Sequence, residues 1–189
     1  LIDEYRFLES NSVPVGVLGA QPINNDGHSY WVRHAKKKTI FSDRFISAEF
    51  VISSFSLVPM STLNKVGMFD DKLFIDLVDS EFSYRCSKND LLNLVSKKIF
   101  FPHVVGEMQG SFFKIRSFAI SSPLRNYYQS RNLILVGRDY DWYWFIVSKL
   151  GKRFVQVLLS AYYAGSLTLR LKYFIIGIAH GVFYRGGEY

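Results

Sequence analysis

A chain of 189 residues, 49% apolar and 17% aromatic, can bury the core of one domain or a little more, which excludes a disordered chain. Its 23 basic and 16 acidic side chains leave a net charge of +7, a balance suited to polyanions, anionic lipid surfaces or phosphorylated small molecules. The lone cysteine, Cys86, excludes an internal disulfide framework and a cysteine-rich zinc cluster, and it points to a reducing compartment.

The chain opens at Leu1 with no initiator methionine and no leader, as a fragment or the back half of a longer protein would. Leu1 to Ser10 reads as the polar-rich end of a helix. Val13 to Ala20 is a short apolar run closed by the turn-rich Gln21 to Gly27, and it reads as a buried strand followed by a loop. The basic run Arg33 to Lys38 reads as a solvated loop. Glu49 to Val58, rich in β-branched and aromatic residues and stopped by Pro59, predicts a second strand. Ser61 is expected to cap a short helix that ends at Gly67. A further helix is predicted from about Asp79 to Ser87, with Val78, Phe82, Arg85 and Cys86 on one face.

Lys97 to Val105 predicts a third strand, with His103 near its end. Ser121 or Ser122 then caps a helix with Pro123 in its first turn, where the missing N–H costs nothing, and that helix is predicted to run to Gly137. Composition shifts at Asp141. Beyond it aromatic and aliphatic residues dominate and acidic ones almost vanish, which divides the chain into a mixed α and β part, 1–140, and a helical C-terminal region, 141–189. Arg170 and Lys172 interrupt the most apolar stretch, Phe154 to Phe183, so a spanning helix is not expected. Aromatic and aliphatic residues interleaved with Lys149, Lys152, Arg153, Arg170 and Lys172 suit helices lying on an anionic bilayer, or ordinary core helices with snorkelling cations.

The segment Ser53 to Arg85 carries the most chemical information. It packs Asp70, Asp71, Asp76, Asp79 and Glu81 into a short stretch of an otherwise basic chain. A carboxylate at a helix start can be a cap for free N–H groups, or it can be a general base kept ionised at the mouth of a cleft. Spacing leaves both readings open.

The run Lys65 to Arg85, KVGMFDDKLFIDLVDSEFSYR, resembles the acceptor-side motif of family 2 glycosyltransferases, closest to a bacterial rhamnosyltransferase-like branch. Ser122 to Asn132, SPLRNYYQSRN, is similar to a helix of that branch, and Gly177 to Gly187 resembles its tail. The resemblance implies an α/β fold, the C-terminal acceptor-binding part of a GT-A, Rossmann-like architecture with a mixed sheet, followed by amphipathic helices. It implies Asp79 as the general base that takes the proton of the acceptor hydroxyl. Ser53, Ser54, Asp76 and Glu81 are implied in substrate binding, and His103 as a ligand of a divalent ion, Mg2+ or Mn2+. Arg125, Tyr128, Arg131 and Asn132 fall along one helical flank, where the arginines are expected to meet a diphosphate. His28, His34 and His180 have weaker claims.

The family's Asp-x-Asp nucleotide motif is not supplied before Glu49, since Asp3 and Asp26 stand in the wrong contexts. What is implied is therefore a glycosyltransferase fragment, inactive alone. The intact enzyme would move a sugar from a nucleotide-sugar donor, dTDP-rhamnose, to a lipid-linked saccharide in O-antigen or capsule assembly. It would act as a peripheral protein on an anionic membrane surface, the cytoplasmic face of the bacterial inner membrane. The alternative is a catalytically silent binding or scaffold module that keeps an acceptor groove. No nucleic-acid partner is expected, because the basic residues form no stripe beyond Arg33 to Lys38.

Overall fold

Val15 to Ala20 is a run of six buried residues, and a strand apolar on both faces belongs in the interior of a sheet. The computed structural model, which describes residues 1–23, 27, 44–103, 108–109 and 118–183, places it there. The chain divides into two compact units, one of Leu1–Asp70 with Val78–Val104 and the other of Asp71–Leu77 with Val105–Tyr189.

The first unit is an α/β layer. Helix α1 (Ile2–Ser10) leads into β1 (Val15–Ile23), followed by β2 (Phe45–Ser47), β3 (Ser56–Leu57), α2 (Met60–Val66), α3 (Val78–Lys88) and β4 (Leu92–Pro102). The sheet order is β2-β4-β1-β3, with β1 parallel to β4 and the two short outer strands antiparallel to their neighbours. Alternation across the central strands builds two cores. Leu8, Val15, Leu18, Phe45 and Leu94 pack with α1 on one face, while Val17, Val51, Phe82, Cys86 and Val95 pack with α3 on the other.

Helix α3 sits close to the sheet because Gly16 lets it: a Cβ there would stand 2.8 Å from Cys86 Cβ and from Asn93 Oδ1. Asn93, buried in β4, donates from Nδ2 to the Ser83 carbonyl at 2.7 Å and ties strand to helix a second time.

Four expectations are corrected here. Glu49 to Val58 is not one strand. Only Ser56–Leu57 pairs, because the Val51 N–H donates to Ser83 Oγ of α3 and the chain then bends at Ser53, with Phe55 at φ 54°. Ser61 does not cap α2. Pro59, already at φ −64°, takes the cap position two residues earlier, and its carbonyl accepts from Thr62 and Leu63. Strand β1 runs on through Gln21 and Pro22 to Ile23, where a loop was expected, because β4 continues beside it to Pro102. Strand β4 begins at Leu92 and not Lys97, since Leu92–Val95 lies in the sheet centre, where burial on both faces removes the alternation that marks an edge strand. The expectations for Arg33 to Lys38, His28, His34 and Tyr184 to Gly187 lie outside the described residues.

The second unit is mainly helical. A 3-10 turn (Asp71–Leu73) opens the segment 71–77, and the short strands β5 (Met108–Gln109) and β6 (Phe118–Ala119) pair with each other. Three helices follow, α4 (Pro123–Asp139), α5 (Tyr143–Ala164) and α6 (Leu167–Val182). Ser122 caps α4, its Oγ accepting from the Arg125 N–H at 3.2 Å. Helix α4 is buried all along Asn126 to Gly137, enclosed by its neighbours. Gly177 and Gly181, one turn apart on α6, carry that close approach: a Cβ at position 181 would stand 2.8 Å from the Arg131 carbonyl, and one at position 177 would overlap Ser130 Oγ and the Tyr127 carbonyl. Ser130 Oγ in turn bonds the Phe174 carbonyl at 3.0 Å.

Candidate active site

In the first unit, only Asn89 to Leu91 separate α3 from β4, so the helix runs back antiparallel to the strand it precedes. Its amino end therefore points toward the carboxyl ends of the parallel pair β1 and β4, the edge where open α/β sheets place their ligands. Asp79 and Glu81 stand in the first turn of α3. Asp79 is half-buried and makes no hydrogen bond or ion pair among the described residues.

Glu81 has a different role. It is buried and grips Arg85 with both oxygens, at 2.9 Å each, and Arg85 also donates to the Val66 carbonyl at 2.6 Å. This pair ties α3 to the end of α2, where Gly67 at φ 84° reverses the chain. At the far end of β4, His103 N–H donates to the Ile23 carbonyl at 3.0 Å, and its ring lies 5.5 Å from that of Phe101. Phe101 stacks on Phe55 at 5.6 Å, so the exposed Ser53–Ser54 bend is carried to the same edge as His103. The cavity of about 300 Å³ between Tyr5, Val13, Pro59, Thr62 and Leu91 lies at the opposite edge, beside the amino ends of the strands.

The divalent ion implied by the resemblance finds no complete donor set among the described residues. Among the described residues no three His, Cys, Asp or Glu side chains come together to hold a metal. One imidazole at His103 is too few ligands for a divalent cation.

In the second unit the predicted residues do converge, on the segment 71–77. Arg125 holds Asp76 in a two-point ion pair, Nε to Oδ2 at 3.0 Å and Nη2 to Oδ1 at 2.9 Å. That hydrogen bond raises the Arg125 pKa above its ordinary value. Arg153 of α5, not foreseen at this site, adds a third charge. Burial lowers its pKa, Asp76 opposes that and Arg125 reinforces it. Its signal in the sequence was a cation inside an aromatic helix, indistinguishable there from a surface lysine.

Arg131 and Asn132 are fully buried. The Arg131 guanidinium donates from Nη2 to the carbonyls of Lys72 and Leu73 at 2.8 and 3.0 Å and lies over the rings of Tyr127 and Tyr128. Asn132 Nδ2 reaches the carbonyls of Leu73, Ile75 and Asp76. Tyr128 is buried against Phe74, ring centroids 5.2 Å apart. Fully buried side chains so engaged brace the chain, which leaves Arg125 as the half-exposed cation of this flank.

The bracing has a purpose in backbone terms. Phe74, Asp76 and Leu77 have φ of 59°, 64° and 64°, left-handed conformations that non-glycine residues avoid. Each costs about 1 kcal/mol or more and persists only where surrounding structure enforces it, a pattern concentrated at functional sites. The segment so held exposes Phe74 and Ile75.

No family model and no solved structure matches this chain. It is similar to a rhamnosyltransferase. Over 87 residues it is 37% identical to the dTDP-rhamnosyl transferase RfbF of Shigella flexneri, a match that covers 46% of this chain and 29% of that protein. The chain thus spans under a third of the length of the curated relative it matches.

Proposed function

We propose that this chain is the acceptor-side part of an inverting family 2 glycosyltransferase of GT-A type. The intact enzyme would transfer rhamnose from dTDP-rhamnose to a lipid-linked saccharide in O-antigen or capsule assembly. The similarity to a dTDP-rhamnosyl transferase supports the donor and the reaction class. The observation that carries the mechanism is Asp79: a half-buried carboxylate in the first turn of α3 with no partner among the described residues.

Inverting transfer needs one carboxylate on the face opposite the leaving group. Asp79 accepts the proton of the acceptor hydroxyl as that oxygen bonds to the anomeric carbon, and the bond to the nucleoside diphosphate breaks. Arg125, fixed by Asp76 and half-exposed, is suited to an anionic or hydroxyl-rich group of substrate. Phe74 and Ile75 offer an apolar edge on which a sugar ring can stack. A Mg2+ or Mn2+ ion belongs to the same proposal for the intact enzyme.

The test is transfer of labelled rhamnose by the product of the natural reading frame that contains residues 1–189, with Asp79→Asn beside it. Transfer that falls about 100-fold or more in the variant, with donor affinity kept, is the expected result. Unchanged turnover would overturn the base assignment, and saccharide binding without transfer from any nucleotide sugar would establish the binding-module alternative.

A further inference from the structure

Helix α5 has two apolar faces and only one of them is packed. Ile146, Leu150, Val157 and Ser160 lie half-buried or buried on one side. Trp144, Val147, Val155, Leu158 and Tyr162 recur at separations of 3, 4, 7 and 8 residues on the opposite side and are exposed, Trp144 by 83% and Tyr162 by 72%. Such a row is too long and too continuous to be the scatter of single apolar residues normal on protein surfaces. Gly151 falls within the same row, with open space around it.

Charge identifies what the row meets. Between Trp142 and Phe183 there is no Asp or Glu, whereas Lys149, Lys152, Arg153, Arg170 and Lys172 are all cationic. The structure removes one of these from the surface, since Arg170 is buried against the carbonyls of Ser121 and Gly165, while Arg153 is half-buried and bonded to Gln156. Lys152 and Lys172 stay exposed and Lys149 is half-exposed. No described helix is long and apolar enough to cross a membrane. An aromatic-rich apolar stripe edged by lysines and lacking acids is the composition of a helix that lies in the interface of an anionic bilayer.

We propose that α5 docks on an anionic bilayer through Trp144, Val147, Val155, Leu158 and Tyr162, with Lys152 at the headgroups. This rests on the exposed face of α5 and not on the transfer reaction, so either can fail without the other.

Flotation of the 189-residue chain with vesicles of phosphatidylcholine alone, or containing phosphatidylglycerol, tests it. Binding to the anionic vesicles with a blue shift of tryptophan emission is expected. Each lysine near the surface contributes about fivefold to that binding, so raising the salt should weaken it at least tenfold. Trp144→Glu with Val155→Glu, both at exposed positions, should abolish binding while circular dichroism and Tm stay unchanged. Absence of binding to anionic vesicles at low salt would overturn the proposal. So would equal binding by the double variant, or a concentration-dependent dimer that the double variant dissolves, which would assign the face to a second copy of the chain.

Discussion

The side-chain amide of Asn132 lies 2.8 Å from the carbonyl oxygen of Leu73, 59 residues earlier in the chain. The same nitrogen is 2.6 Å from the Ile75 carbonyl and 2.9 Å from that of Asp76, so two hydrogens serve three acceptors. One buried amide thus does for segment 71–77 what a neighbouring strand would otherwise do. It explains how three residues in left-handed conformations persist close together with little regular structure to hold them.

Replacing Asn132 by Ala or Leu is expected to take the side-chain donor from the part-buried Ile75 and Asp76 carbonyls, while Leu73 keeps Arg131, and to cost about 1–3 kcal/mol. Chemical denaturation measures the loss. Hydrogen exchange should show faster opening at Phe74 to Leu77 than at β1, and an equal change at both, or none, would remove Asn132 from this role.

Two helix glycines should respond in opposite directions to alanine. Gly177→Ala forces a methyl into Ser130 and the Tyr127 carbonyl and should lower Tm by several degrees, because neither neighbour on α4 can retreat. Gly151→Ala meets only open space on an exposed helical position and should stabilise by about 0.5–1 kcal/mol through reduced backbone entropy of the unfolded chain. Thermal unfolding of both variants decides it.

The two acids of the α3 first turn should separate functionally. Asp79→Asn is expected to remove turnover and leave stability nearly unchanged, whereas Glu81→Gln breaks the partly buried grip on Arg85 and should cost about 1–2 kcal/mol. Measuring kcat and denaturation midpoint for both variants yields this double dissociation. Equal effects on either quantity would contradict it.

Burial pushes the Cys86 thiol up from its ordinary 9.0 to about 11, with Arg85 opposing the rise and Glu81 adding to it. The native state therefore holds the proton more tightly than the unfolded chain does. The associated stability is fully present below pH 9 and is lost as the pH rises through 11, by about 1.4 kcal/mol for each pH unit between those two values. Denaturation midpoints should be insensitive to Cys86→Ser as a function of pH below 9 and should diverge above it. Thiol reagents should modify Cys86 at neutral pH only as fast as the protein opens.

Local signals were sufficient for α3, for the Ser122–Pro123 start of α4 and for the apolar core of β1, since capping chemistry and periodicity act over a few residues. The base role proposed for Asp79 came from the resemblance of the Lys65 to Arg85 run, because the acid cluster by itself left a cap and a base both open. Tertiary structure decided the rest. Glu49 to Val58 has the side chains of a strand, yet Ser83 of α3 takes its backbone donor, a choice made by a partner 32 residues away. Leu92–Val95 pairs as a central strand because β1 and β2 both bond to it, which a run of four residues cannot announce by itself. Arg125 and Arg131 look alike in sequence, six residues apart on one helix. Packing alone made Arg131 an interior brace and left Arg125 half-exposed on Asp76, because the burial of a cation depends on which carbonyls and rings the fold brings to meet it.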